Sequence, residues 1–364
     1  MAAEDSTYTE QLRGYETALL GFLRAFETIQ ENLRLGEVRP SQAELVAATG
    51  DTFRRFNANF AEQTPPDELR EFHQALVIAV AHLERSFSFF MTEPSPNWTL
   101  AFLQGRNSFV RGLYALYELR ERLPVLNAYF NVDGRVIAAD LPPDGDSPPS
   151  RGFTHRERTE SHGKYSLYVP ENYSPSRQWP LIICLHGGYG QGYEYIWTWV
   201  RSARARGYIL LAPKSLAETW TMTMNSPDTR SVMGILDEIR DTYSIDGSRI
   251  YLTGLSDGGI FTYIMGLERH EVFTGLAPVA GALHMAVDPM LRTGTGRELP
   301  IFVIHGVHDF IFPVSFTRQT NDLLKSLQYN VKYEELPDWG HAFPYSINER
   351  LVMPWFEGLP PRAE

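Results

Sequence analysis

The 364-residue chain has one cysteine, Cys184, so neither an internal disulfide nor a cysteine-based zinc site is available to it. Basic charge is also short, with 33 Lys and Arg against 44 Asp and Glu and a formal net charge of −11. Clustered cations are what hold phosphate backbones and anionic membranes, so a general nucleic-acid or membrane-surface binder is excluded. No run of about 18 uninterrupted apolar residues exists, and none is expected to span a membrane. The segment Met1 to Glu10 is polar and acidic, without the basic start and apolar core of a signal peptide. What is present is an ordinary globular balance, 43% hydrophobic and 21% charged, which rules out disorder as an overall description. The length exceeds one comfortable domain, and the expectation is a soluble, cytoplasmic protein of two parts.

Three regions are expected: a helical region over 1–125, a hairpin and Pro-rich linker over 126–153, and a catalytic domain over 154–364. In the first, Leu12, Tyr15, Leu19, Phe22, Leu23, Phe26, Ile29 and Leu33 recur at helical spacing, and Gly36 suits the end of that helix. Ser41 with Glu44 reads as a capping box opening a second helix to about Phe60. Thr64-Pro65-Pro66-Asp67-Glu68 opens a third to about Phe90, and a fourth ends before Pro124. Four amphipathic segments with short connections predict a bundle, whose spare apolar faces would suit a homodimer. Alternation around Asp133-Gly134 predicts a hairpin over Ala128–Ile137. After residue 154, strand-like runs at 165–169, 180–185, 208–212, 249–253, 275–279, 300–304 and 331–336 alternate with helical stretches. That pattern predicts a mostly parallel sheet with helices on both faces.

The chemistry concentrates at the ends of those runs. Gly254-Leu255-Ser256-Asp257-Gly258 follows a β-branched strand and precedes an amphipathic helix, the strand–turn–helix setting of a nucleophile elbow. His186-Gly187-Gly188-Tyr189-Gly190 follows another buried strand, and its glycines would let amides approach an oxyanion. The expected hole is the amides of Gly188 and Asp257, with Tyr189 the second choice for the first donor; His186 is expected to brace the loop. A serine needs a base, and the base an orienting acid. Asp309, in the loop after 300–304, and His341, glycine-flanked after 331–336, follow in the order Ser, acid, His. His270, His284, His305 and His308 compete as bases, and Asp338 and Glu334 as acids. Tyr189, Tyr193, Trp197, Trp220 and Trp339 are the expected substrate-binding aromatics, suited to an aryl or aliphatic acyl group.

The stretch Tyr243 to Gly259, the His-Gly-Gly loop, Asp309 and Gly340-His341 together resemble α/β-hydrolase serine esterases. The likeness is to the group of polyhydroxybutyrate depolymerases, feruloyl esterases and dienelactone-hydrolase-like proteins, over residues 160–356. It implies the α/β-hydrolase fold with an eight-stranded sheet, and hydrolysis of small-molecule or polymeric esters through an acyl-enzyme, without metal or cofactor. Asp257 departs from it, standing where many members carry a small or uncharged residue. A serine peptidase or thioesterase is the alternative enzyme, and a non-catalytic scaffold of the same fold the alternative class.

Overall fold

The computed structural model describes residues 2–34, 37–95, 98–132, 150–160 and 162–362. The chain divides into two compact units, Met1–Gly134 and Arg135–Glu364.

In the first unit, four long helices take up the expected apolar periodicities: α1 (Ala2–Glu31), α2 (Val38–Ala61), α3 (Arg70–Phe90) and α4 (Trp98–Leu119). Their core is aromatic. Phe22 stacks on Phe53 at 4.3 Å between ring centroids, and Phe26 lies 4.9 Å from Phe109. A Cβ on Gly112 would fall 2.6 Å from the Leu83 side chain, so this position must be glycine for α4 to approach α3 as it does. Polar groups inside are paired: buried Arg106 donates to Gln30 at 2.8 Å, and the Tyr129 hydroxyl to Glu27 at 2.6 Å.

Two local expectations are corrected here. Ser41 lies within α2, which starts at Val38, and its hydroxyl reaches back to the Glu37 carbonyl instead of capping the first turn. Ala128–Phe130 is a 3-10 turn, not the first arm of a hairpin. It continues from a short helix α5 (Pro124–Asn127), whose free amides at Val125 and Leu126 are taken by the buried Glu16 carboxylate. That distant contact outweighs the local turn signal. Residues 133–149 of the expected hairpin and linker lie outside the described residues, as does Gly36.

The second unit has the α/β-hydrolase fold. Its eight strands are β1 (Gly152–Arg156), β2 (Tyr165–Val169), β3 (Trp179–Leu185), β4 (Ile209–Pro213), β5 (Ile245–Leu255), β6 (Gly275–Val279), β7 (Ile301–Gly306) and β8 (Val331–Leu336). They lie in the order β1-β2-β4-β3-β5-β6-β7-β8, antiparallel at β1–β2 and β2–β4 and parallel elsewhere. Strands β2, β3, β4, β6 and β7 are buried along their whole length, which is why their sequences read as unbroken apolar runs. The helices include α6 (Gly192–Tyr195), α7 (Val200–Arg206), α8 (Pro227–Thr242), α9 (Asp257–Glu268), α10 (Asp288–Thr293) and α11 (Val314–Ser326).

Strand β3 sits between β4 and β5, so the chain steps to one side of it and then crosses to the other. Such a reversal opens a crevice at the carboxyl ends of the central strands, here after β3 and β5. Among the described residues, no helix is long and apolar enough to cross a membrane.

Candidate active site

Ser256 joins β5 directly to α9 with φ 58° and ψ −121°, a left-handed conformation that a side-chain-bearing residue rarely adopts. Its amide is tied to the Val279 carbonyl at 3.0 Å. The flanking glycines are demanded by close backbone approach. A Cβ on Gly254 would lie 2.3 Å from the Gly258 carbonyl oxygen, and one on Gly258 would lie 2.3 Å from that of Leu185. The turn therefore presses against the end of β3 and presents Ser256, half-buried, beside the next loop. A Cβ on Gly187 would be 3.3 Å from the Ser256 Cβ.

That loop, 186–190, is held from several sides. His186 is fully buried; its Nδ1 lies 2.6 Å from the Gly187 carbonyl and its Nε2 3.1 Å from the Ser215 amide. An amide can only donate, so Nε2 carries the lone pair and Nδ1 the proton. Burial pushes the ring's pKa down to about 3, which keeps it neutral and in this tautomer. The Trp220 indole donates to the His186 carbonyl at 2.7 Å, and Trp220 stacks on Phe261 at 5.0 Å. The Tyr189 amide donates to the Glu218 carbonyl at 2.9 Å, and that of Gly190 to Gly187 at 3.0 Å. Among the described residues no backbone carbonyl takes the Gly188 amide. Of the two candidates for the first donor, Tyr189 is thus occupied. The Asp257 carboxylate lies over Gly188, where a Cβ would be 2.7 Å from Oδ2, and the Thr219 hydroxyl donates to the same oxygen at 2.5 Å.

Asp309, in the loop between β7 and α11, is 4% exposed. Its Oδ1 accepts the amides of Ile311 at 2.9 Å and Phe312 at 2.8 Å, and Oδ2 lies 2.7 Å from His341 Nδ1. Burial alone would raise its pKa. The imidazoles of His305 and His341 and the Phe312 amide, all set against the carboxylate, overcome that and hold it well below the usual range. With Nδ1 donating to a carboxylate, His341 keeps Nε2 as its proton-accepting nitrogen. Among the described residues no hydrogen bond joins Ser256 to His341, so the structure closes the acid–histidine half and leaves the serine half open. Catalytic hydrogen bonds of this kind often tighten only with substrate bound.

The competing residues have other contacts. His270 is exposed beside Glu271, His284 accepts the Ala286 amide, and the amide of exposed His308 donates to the Trp339 carbonyl. Glu334 is within β8. His305 is fully buried and touches Asp309, a contact that spacing alone did not reveal. Thr219 also escaped sequence reading, since a lone threonine after a strand carries no signal.

Three of the expected substrate-binding aromatics are buried. Trp197 is buried against Phe153 at 4.9 Å, Trp220 braces the His186 loop, and Trp339 is 4% exposed with its carbonyl holding the His308 amide. Indoles are large enough to fill loop interiors, and here they do so. Tyr193 is half-buried in α6, and Tyr189 stands 70% exposed at φ 56°. Among the described residues no group of three or more His, Cys, Asp or Glu could hold a metal ion.

The fold of the second unit is that of the α/β hydrolases. Residues 225–351, which include Ser256, Asp309 and His341, match the family described as phospholipase/carboxylesterase. The chain is similar to proteins named as esterases and to one named as a depolymerase. It is 30% identical over 150 residues to the bifunctional acetylxylan esterase/xylanase XynS20E of Neocallimastix patriciarum, covering 39% of this chain and 21% of that protein. It is 29% identical over 199 residues to feruloyl esterase C of Emericella nidulans, covering 53% and 70%. To poly(3-hydroxyalkanoate) depolymerase C of Paucimonas lemoignei it is 27% identical over 128 residues, covering 32% and 31%. Among solved structures, a thermostable esterase superposes with a TM-score of 0.45 at 24% identity, covering 57% of this chain and 60% of that one.

Proposed function

We propose that this chain is a serine carboxylesterase acting on apolar or aromatic carboxylic esters, with Ser256 as nucleophile, His341 as general base and Asp309 as the acid that orients it. The observation that carries the reading is the elbow: a serine held at positive φ at the start of a helix, over the crevice beside β3. Strain of that kind persists where surrounding structure enforces it, and it exposes the hydroxyl to a reactant. The Ser256 Oγ attacks the ester carbonyl carbon while its proton passes to His341 Nε2. Charge on the carbonyl oxygen is met by the amides of Gly188 and Asp257, at the positive end of α9. His341 then protonates the departing alkoxide, leaving an acyl-Ser256 ester. Water repeats the sequence, its proton going to His341 and its oxygen to the acid product. Tyr189, exposed beside the hole, is the side chain offered to the substrate's apolar part, with Tyr193 behind it. The relatives named as feruloyl and acetylxylan esterases support ester over amide substrates.

The test is turnover of p-nitrophenyl acetate, p-nitrophenyl butyrate and a feruloyl ester by wild type and Ser256→Ala, with fluorophosphonate labelling alongside. Wild-type turnover and labelling, both lost in Ser256→Ala, are expected. Labelling without ester turnover would redirect the reading to a thioesterase or peptidase. Absence of labelling would make the fold a scaffold.

A further inference from the structure

Asp309 receives two imidazoles, and the proposed mechanism uses one. His305, on β7, is completely buried. Its Nε2 lies 2.7 Å from the Phe312 carbonyl and 3.3 Å from Asp309 Oδ2, and its Nδ1 lies 2.8 Å from the Thr317 hydroxyl on α11. The two oxygens facing Nε2 can only accept, because one is a carbonyl and the other belongs to an ionised carboxylate. Nε2 must therefore carry a proton; its hydrogen bond runs to the Phe312 carbonyl, and Asp309 Oδ2 lies beside it at 3.3 Å. In the neutral ring Nδ1 is then a lone pair, and the Thr317 hydroxyl, which rotates freely, donates to it. The result is one directed chain from Thr317 through His305 to the Phe312 carbonyl, which sets the Nε2–H dipole beside Asp309 Oδ2, the same oxygen that takes the His341 Nδ1 proton at 2.7 Å.

We infer that His305 is a positioning residue that sets the proton affinity of His341 by competing with it for Asp309 Oδ2. This inference rests on the proposed triad. A carboxylate oxygen with a second, polarised N–H 3.3 Å away is a weaker acceptor for the first, so it stabilises the His341 imidazolium less than an oxygen without that neighbour would. Oδ1 is held by the Ile311 and Phe312 amides, and so the carboxylate has no second conformation in which to escape the competition. The Phe312 carbonyl, fixed by the same loop, keeps the His305 ring in register. Other charged groups near His305 are already engaged. Glu335, its cross-strand neighbour on β8, accepts from Arg318 at 2.8 and 2.7 Å on its two oxygens and from the Tyr333 hydroxyl at 2.9 Å. Those bonds hold its carboxyl below the usual range and leave it ionised.

The arrangement makes a directional claim. Removing the His305 donor gives Oδ2 wholly to His341, so His341 holds its proton to higher pH and the base is lost sooner as pH falls. His305→Leu is expected to move the acidic limb of kcat/KM upward by about half to one pH unit. Turnover then drops about three- to tenfold below the limb and stays near wild type at pH 8 and above. His305→Gln, whose amide can donate from a similar position, is expected to return the limb to the wild-type value. A merely structural histidine would lower activity by one factor at every pH, and an unmoved limb in a folded His305→Leu overturns the inference. Should His305→Leu fail to fold, the wild-type protein still decides. With ring-15N histidine at pH 8, His305, assigned by its absence in His305→Gln, is expected to show a protonated Nε2 and a bare Nδ1. The opposite tautomer overturns the chain. Fluorophosphonate labelling of wild type separates the two readings: no labelling means that the triad fails, whereas labelling with an unmoved limb means that only the role of His305 does.

Discussion

At the scale of single residues, the densest contacts converge on Asp309, which accepts two backbone amides on one oxygen and faces two imidazoles with the other. Asp309→Asn is nearly the same shape but cannot satisfy this arrangement. If its oxygen keeps the Ile311 and Phe312 amides, its NH2 confronts the Nδ1 proton of His341, and the ring must adopt the wrong tautomer. The expected result is a loss of about 10⁴ in kcat with KM changed little, read from steady-state kinetics on p-nitrophenyl butyrate. A comparable rise in KM with kcat retained would show that Asp309 acts on binding and not on the base. The candidate triad could be named from the sequence because each member sits at a strand end in an order that few arrangements share. The aromatic wall could not. A tryptophan on a loop reads the same whether it lines a cleft or fills the loop's interior, and its burial, as found for Trp197, Trp220 and Trp339, is not written in the sequence. His305 was legible as a competing base, but not for its contact with Asp309, which depends on the curl of the loop back toward β7.

At the scale of elements, the sheet was legible wherever strands are buried on both faces, because burial forces unbroken apolar runs. β1 was not: Gly152–Arg156 is a half-exposed edge strand, and its residues show neither a run nor an alternation. The turn at Ala128–Phe130 was misjudged for a different reason, since its helical form depends on Glu16, more than a hundred residues away. The packing of α9 against the end of β3 gives a prediction at this scale. Gly258→Ala places a methyl 2.3 Å from the Leu185 carbonyl oxygen and 2.6 Å from that of His186, backbone atoms that cannot rotate away. Either the helix shifts or the loop does, and a loss of about 1–3 kcal/mol is expected in urea unfolding. Gly247→Ala meets nothing within 4 Å and serves as the control, expected to stay close to wild type. Equal stability for the two variants would mean that the elbow is looser than its contacts imply.

At the scale of the whole molecule, acid sensitivity follows from the way the loop after β3 is built. His186 is held neutral in the folded chain, its pKa lowered from 6.5 to about 3 by burial, while in the unfolded chain it takes up a proton near 6.5. Between those values the unfolded state binds one more proton, so stability falls as pH falls, by at most about 1.4 kcal/mol per pH unit. Above the unfolded value the two states bind alike and the contribution is flat. Asp309 works in a lower window, since its depressed pKa contributes stability that is lost only as pH drops below the ordinary carboxylate value of 3.8. From pH 6.5 to 4 the second unit should therefore lose stability through His186, and tryptophan fluorescence is well placed to follow it. Of the 7 tryptophans, all but Trp98 belong to the second unit. His186→Gln can still accept the Ser215 amide, but it has no proton to gain. It is expected to be less stable than wild type at pH 7 and to lose less on acidification, so that the gap between the two urea midpoints narrows steadily toward pH 4. Parallel midpoint curves would mean that the ring gains its proton without unfolding. The loop beside the candidate oxyanion hole would then open more easily than its hydrogen bonds imply.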